Sequence, residues 1–191
     1  MKKWREHKSI QKMVYGAMFL ALGLILPFFT GQIPQIGSML LPMHIPVLVC
    51  GMVCGTGYGG IVGFILPIMR YFLFGMPPIF PTGVAMSFEL AAYGMIAGKL
   101  YYESKWKCWS NLYYSLITAM IGGRIVWGIA YGIFCGVAGQ TFTLGIFLAS
   151  AVINAVPGIV LQLLFVPVLV KALHHTGVVW EERHIFPVNK G

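Results

Sequence analysis

Long apolar runs with almost no charge fill this chain, and few folds can accommodate them. A membrane-spanning helix needs about 20 apolar residues, with a range of roughly 17–25. Six stretches approach or exceed that length: Lys12–Phe29, Leu40–Gly55, Gly57–Phe74, Gly83–Tyr102, Ser110–Gly136 and Thr143–Leu173. Charged residues make up only 9% of the chain, against about 25% in soluble domains. No hydrophilic stretch in the 191 residues is long enough for a second domain. The expectation is an all-α membrane protein, a six-transmembrane-helix bundle forming a single integral domain over residues 1–191.

The second and third spans are nearly continuous, from Leu40 to Phe74, and are punctuated by Gly55, Gly57, Gly59 and Gly60. Glycine at that density predicts a tight turn between two helices. One uninterrupted helix there would far exceed the ~30 Å of hydrocarbon. The fifth and sixth spans are longer than needed, so tilt or protrusion is expected, and Pro157 and Pro167 predict a kink in the sixth. The basic start followed by the run Met13–Phe29 resembles a signal peptide. It ends in Pro27, Phe28, Phe29 and Thr30 without a small-residue cleavage site, so it reads as a mature helix.

Eleven of the 13 Lys and Arg residues lie outside the runs or at their edges. Lys2, Lys3, Arg5, Lys8 and Lys12 open the chain, Lys99, Lys105 and Lys107 surround the fourth connection, and Lys171, Arg183 and Lys190 close it. The connections Thr30–Met43, Gly75–Thr82 and Val137–Phe142 carry none. With six spans, all eleven fall on one side, which positive-inside bias makes the cytoplasm, with both termini there. The net charge of +8 therefore reads as a topology signal in a multi-pass cell-membrane protein rather than a nucleic-acid surface. The uncharged outer connections are rich in proline (Pro34 and Pro42; Pro77, Pro78 and Pro81) and suit rigid covers over a site.

Cys50 and Cys54 stand four apart in an apolar helix, with no second pair or nearby histidine of zinc-site spacing. No metal and no cofactor is expected.

Two basic residues lie inside the runs, Arg70 and Arg124, and one acid, Glu89, is there to answer them. A charge at mid-bilayer costs roughly 2.5–3.5 kcal/mol on insertion scales. Two cations against one anion leave a positive excess that a small anionic ligand would neutralise. Chain direction puts Arg70 near the outer end of its span, Glu89 two turns below the outer surface and Arg124 near mid-depth. Asn154 falls in the outer half, His44 opens the second span on the outer side, and Gln162 lies in the inner half. Arg124 offers a planar fork for a carboxylate, and Asn154 offers a donor and an acceptor. Trp127 and Tyr131 follow Arg124 by one and two turns and would wall a partly apolar ligand. Structural roles compete with these: an ion pair for Glu89, an outward-reaching side chain for Arg70, an interhelical hydrogen bond for Asn154 and a helix start for His44.

Ala17 and Ala21 put two small side chains on one face of the first span, a spacing that admits another helix closely. The chain has no phosphate-binding loop of the Gly-x-x-x-x-Gly-Lys type and no internal duplication of the kind large carriers show. Energy for transport would have to come from a partner.

These features resemble the substrate-binding S component of energy-coupling factor (ECF) vitamin transporters. The resemblance covers Lys12–Leu173 and rests on length, span count, the basic N-terminus and Ala17-x-x-x-Ala21. It rests also on Leu41-Pro-Met-His-Ile-Pro-Val47, Phe74-Gly-Met-Pro-Pro-Ile-Phe-Pro81 and Asn154-Ala-Val-Pro-Gly158, which look like the pantothenate-type subgroup. It implies a non-enzymatic subunit that binds a vitamin from outside, docks on a transmembrane coupling protein (the T component) carrying two cytoplasmic ATPases, and topples in the bilayer to deliver its cargo. It also implies that Ala17 and Ala21 face the coupling protein and that the ligand sits in the outer half. For pantothenate, with its carboxylate, amide and hydroxyls, the expected pairing is Arg124 on the carboxylate and Asn154 on the polar middle.

Three other classes are to be weighed. A stand-alone secondary transporter or channel needs a continuous polar path, and the inner half offers little beyond Gln162. An intramembrane enzyme needs a nucleophile with a base, or a metal cluster, and Glu89 with His44 does not amount to either. In a structural or assembly subunit the arginines would be packing devices.

Overall fold

The computed structural model describes residues 2–30, 42–104, 108–137 and 156–175. Among these residues the fold is entirely helical. Helix α1 (Lys2–Ile25) ends in a tighter turn, Leu26–Thr30. Helix α2 is His44–Cys54 and α3 is Thr56–Phe74. Helix α4 (Val84–Ala97) is extended by wide turns at both ends, Ile79–Gly83 and Gly98–Tyr102. Helices α5 (Trp109–Val137) and α6 (Val156–His175) complete the bundle. Five of the helical stretches are long and apolar enough to cross a bilayer; α2 is shorter.

The helices alternate in direction. At one end of the bundle Lys12 donates to the Tyr102 hydroxyl, Thr56 Oγ1 donates to Glu103 Oε1 at 2.7 Å, and the Lys171 ammonium lies 4.9 Å from the Trp109 ring centroid. At the other end Phe28 meets Phe74 edge-on at 4.9 Å and Phe80 meets Phe134 at 5.8 Å.

Every residue of α2 is buried, and α1, α3, α4 and α6 all pack on it. This explains how an 11-residue helix can stand among much longer neighbours. Enclosed by protein, it need not match the hydrocarbon thickness alone. The exposed apolar surface is carried instead by the outer helices. Ile117, Ile121, Ile125, Ile129 and Ile133 form an exposed stripe along α5, one residue every helical turn.

The glycine-rich stretch after α2 divides its work. Gly55 alone makes the turn, with φ 103°, while Gly57, Gly59 and Gly60 are helical residues of α3. The sequence predicts the turn, but Gly59 and Gly60 serve packing. A Cβ on Gly59 would lie 2.6 Å from Gly51 Cα, and one on Gly94 would lie 2.2 Å from Gly59 O. Only bare backbone fits where α2, α3 and α4 cross, the small-residue packing that membrane helices favour. Gly75 (φ 70°) caps α3, its N–H donating to Tyr71 O at 2.8 Å.

The prolines expected to kink the last span also divide. Pro157 occupies the first turn of α6, where no intrahelical donor is lost. Pro167 is the one inside the helix.

Candidate functional site

Three charged or polar side chains converge near the start of α2. Glu89 Oε1 lies 3.0 Å from Arg124 Nη1 and 3.6 Å from His44 Nε2. His44 and Glu89 are each 1% exposed. The bundle brings them together through local features. His44 is the first residue of α2 and is held in the protein interior by that helix. Glu89 lies in the second turn of α4, on the buried side with Ala85 and Tyr93. Arg124 follows Gly122 and Gly123, and a Cβ on Gly123 would lie 2.7 Å from the Tyr93 ring. The glycine pair lets α5 press onto α4 and carries the guanidinium to the carboxylate. The Tyr93 ring then stands edge-on to His44, 5.0 Å between centroids and 84° between planes.

The cluster is not closed on itself. Among the described residues, His44 Nδ1 and Nε2 and Arg124 Nε and Nη2 have no hydrogen-bond partner. Glu89 Oε1 meets Arg124 as an ion pair at 3.0 Å, yet it receives no well-directed N–H. Unpaired polar groups in such an interior are expensive, and each should be met by something.

Arg70 lies apart from this cluster. It forms no ion pair among the described residues, and its guanidinium carbon is 5.9 Å from the Phe74 ring centroid. At 8% exposure it is covered by protein, so it does not reach outward to water, and its Nη1 has no partner among the described residues.

Trp127 and Tyr131 stack on one another, centroids 4.9 Å apart and planes 12° apart. Trp127 packs with Ala85, one turn of α4 before Glu89, together with Met86, Ala130 and Phe134. Trp127 thus stands one helical turn along α5 from Arg124, with Tyr131 one turn further. Asn154 lies outside the described residues. Gln162, which the sequence reading leaves out of the site, is fully buried in α6, and neither its Oε1 nor its Nε2 has a partner among the described residues. No sequence signal marks it beyond an amide inside an apolar helix.

Ala17 and Ala21 point away from the bundle. Both are exposed, along with Val14, Met18, Leu22 and Ile25. The opposite face of α1, with Gly16, Phe19 and Gly23, packs inward on α3; a Cβ on Gly23 would meet the Leu66 side chain at 2.6 Å. The small pair thus lies on a face that the other described residues leave open.

No group of three or more His, Cys, Asp or Glu side chains placed to hold a metal ion occurs among the described residues. No curated protein matches the chain, and no solved structure does. A family model does match, over residues 11–174, and its description is ECF transporter, substrate-specific component. A match over that much of the chain fits the helical bundle and its exposed apolar faces, and this multi-pass membrane protein belongs to the family of ECF transporter substrate-specific components.

Proposed function

We propose that the chain captures a small anionic vitamin from outside the cell and hands it to an ATP-driven coupling module. The chain is read as one integral domain over residues 1–191, spanning the cell membrane six times with both termini in the cytoplasm. The observation that carries the reading is the charge balance of the interior. Glu89 is engaged by Arg124, yet two guanidinium nitrogens of Arg124 and one of Arg70 have no partner among the described residues. An anion entering there would neutralise the excess and receive those donors. His44, Trp127 and Tyr131 supply the rest of the wall, and Asn154 is proposed to meet the polar middle of the ligand. Pantothenate, with a carboxylate at one end and amide and hydroxyl groups beyond it, has the required chemistry.

The proposed partners are a transmembrane T component and two cytoplasmic ATPases, with Ala17 and Ala21 as the contact face. Cargo release then follows a toppling of the loaded subunit in the bilayer. Mass spectrometry of small molecules extracted from the purified protein tests the reading. An acidic vitamin at near-stoichiometric amount is the expected result. A neutral cargo, or uptake into vesicles that lack any ATPase, would count against it.

A further inference from the structure

We infer that Arg70 receives the acidic group of the cargo, while Arg124 and His44 serve its neutral part, so that the chain selects elongated monoanions. The inference rests on the reading of an anionic cargo and assigns the charges within it.

Five acids exist in the whole chain: Glu6, Glu89, Glu103, Glu181 and Glu182. Glu103 is bonded to Thr56 at the opposite end of the bundle. Glu6 belongs to the N-terminal part of α1, whose Lys12 reaches that same end. Glu181 and Glu182 lie outside the described residues. Glu89 is already 3.0 Å from Arg124. Among the described residues Arg70 is therefore the buried cation without a carboxylate of its own.

The two arginines also stand at different levels. The glycine crossings fix the register of α3 against α4: Gly59 abuts Gly94 and Gly63 abuts Leu90. In antiparallel helices that register puts Arg70 level with Gly83. At 1.5 Å per residue this is roughly 9 Å outward of Glu89 along the bundle. Arg70 lies one and two turns beyond Leu66 and Gly63, on the face that packs inward, which agrees with its burial. A charged donor at one level and a neutralised cluster two turns below it require a ligand of matching shape. Its carboxylate lies at Arg70, and hydroxyl, amide or carbonyl groups meet Arg124 Nε and Nη2 and His44 below.

Binding of two elongated acids, pantothenate and biotin, each beside its neutral alcohol or amide analogue, tests the assignment on the purified full-length protein by calorimetry. The wild type should take an acid in preference to its neutral analogue. Arg70→Gln should lose about 100-fold in affinity for that acid and little for the analogue. Arg70→Lys should keep the preference for the acid, which separates charge from packing. Arg124→Gln combined with Glu89→Gln should weaken acid and analogue alike. An Arg70→Gln protein that loses both ligands equally, or neither, overturns the assignment while leaving the anionic-cargo reading intact. A wild type that takes neither of the acids, or prefers a neutral analogue, overturns both.

Discussion

Arg124 Nη1 stands 3.0 Å from Glu89 Oε1, and that contact commits the one buried carboxylate among the described residues to one of the two arginines inside the apolar runs. Removing a single partner from a buried pair leaves an uncompensated charge, at a cost of about 3–5 kcal/mol. Arg124→Gln alone is therefore expected to destabilise the protein strongly, even without ligand. Adding Glu89→Gln should recover most of that loss, because neither charge is then stranded. Thermal unfolding of the two single variants and the double variant in detergent checks this; a double variant that loses as much as the two single losses added together would show that the pair is not coupled.

The crossing of α2, α3 and α4 gives a second expectation. A Cβ on Gly94 would lie 2.2 Å from Gly59 O, which is backbone and cannot swing aside. Overpacking typically costs about 1–3 kcal/mol, and Gly94→Val should reach the upper end of that range or prevent folding. Gly57 is the control. A Cβ there has nothing within 4 Å, so Gly57→Ala should be neutral or stabilising by up to ~1 kcal/mol through helix propensity. Yield and melting temperature of the two variants decide the matter.

The contrast between these glycines shows what was legible in the sequence. Hydropathy and length give the long helices, because a bilayer forces apolar runs of one characteristic size. The break at Gly55 is legible for the same reason. The seam is not, although its signal was present: Gly51, Gly55, Gly59 and Gly63 recur every four residues, the spacing already read as meaningful at Ala17 and Ala21. Charge counting announces that Glu89 must answer Arg70 or Arg124, and it cannot choose between them. The choice depends on Gly122 and Gly123 letting α5 close on α4, a tertiary event. His44 reads as a helix start from its neighbouring prolines; its approach to Glu89 depends on how α2 and α4 pack.

The open face of α1 yields a third expectation. Ala17 is exposed on the side away from α3, so a large side chain there points away from the described residues of the bundle. Ala17→Trp should leave cargo affinity within about twofold, since its bulk lies outside the bundle, and cut ATP-driven uptake at least tenfold, equivalent to about 1.4 kcal/mol of lost docking. Binding by calorimetry and uptake in vesicles containing the coupling module separate the two. Intact uptake would remove this face from consideration as the contact surface.

Gln162 sets stability against function. Its amide is fully buried, and both polar atoms lack a partner among the described residues. A buried amide without hydrogen bonds costs about 1–3 kcal/mol on mutational scales. Gln162→Met has nearly the same shape without the polar atoms, so it should raise the melting temperature of the cargo-free protein. If cargo supplies the missing partners, the same variant should bind the wild-type cargo more weakly, because the bound state loses hydrogen bonds the free state never had. The two effects have opposite signs and are read in separate experiments, a melting curve without ligand and a titration with it. A lower melting temperature would show that the amide is satisfied within the chain. A higher one with unchanged affinity would make Gln162 a packing residue with no part in recognition.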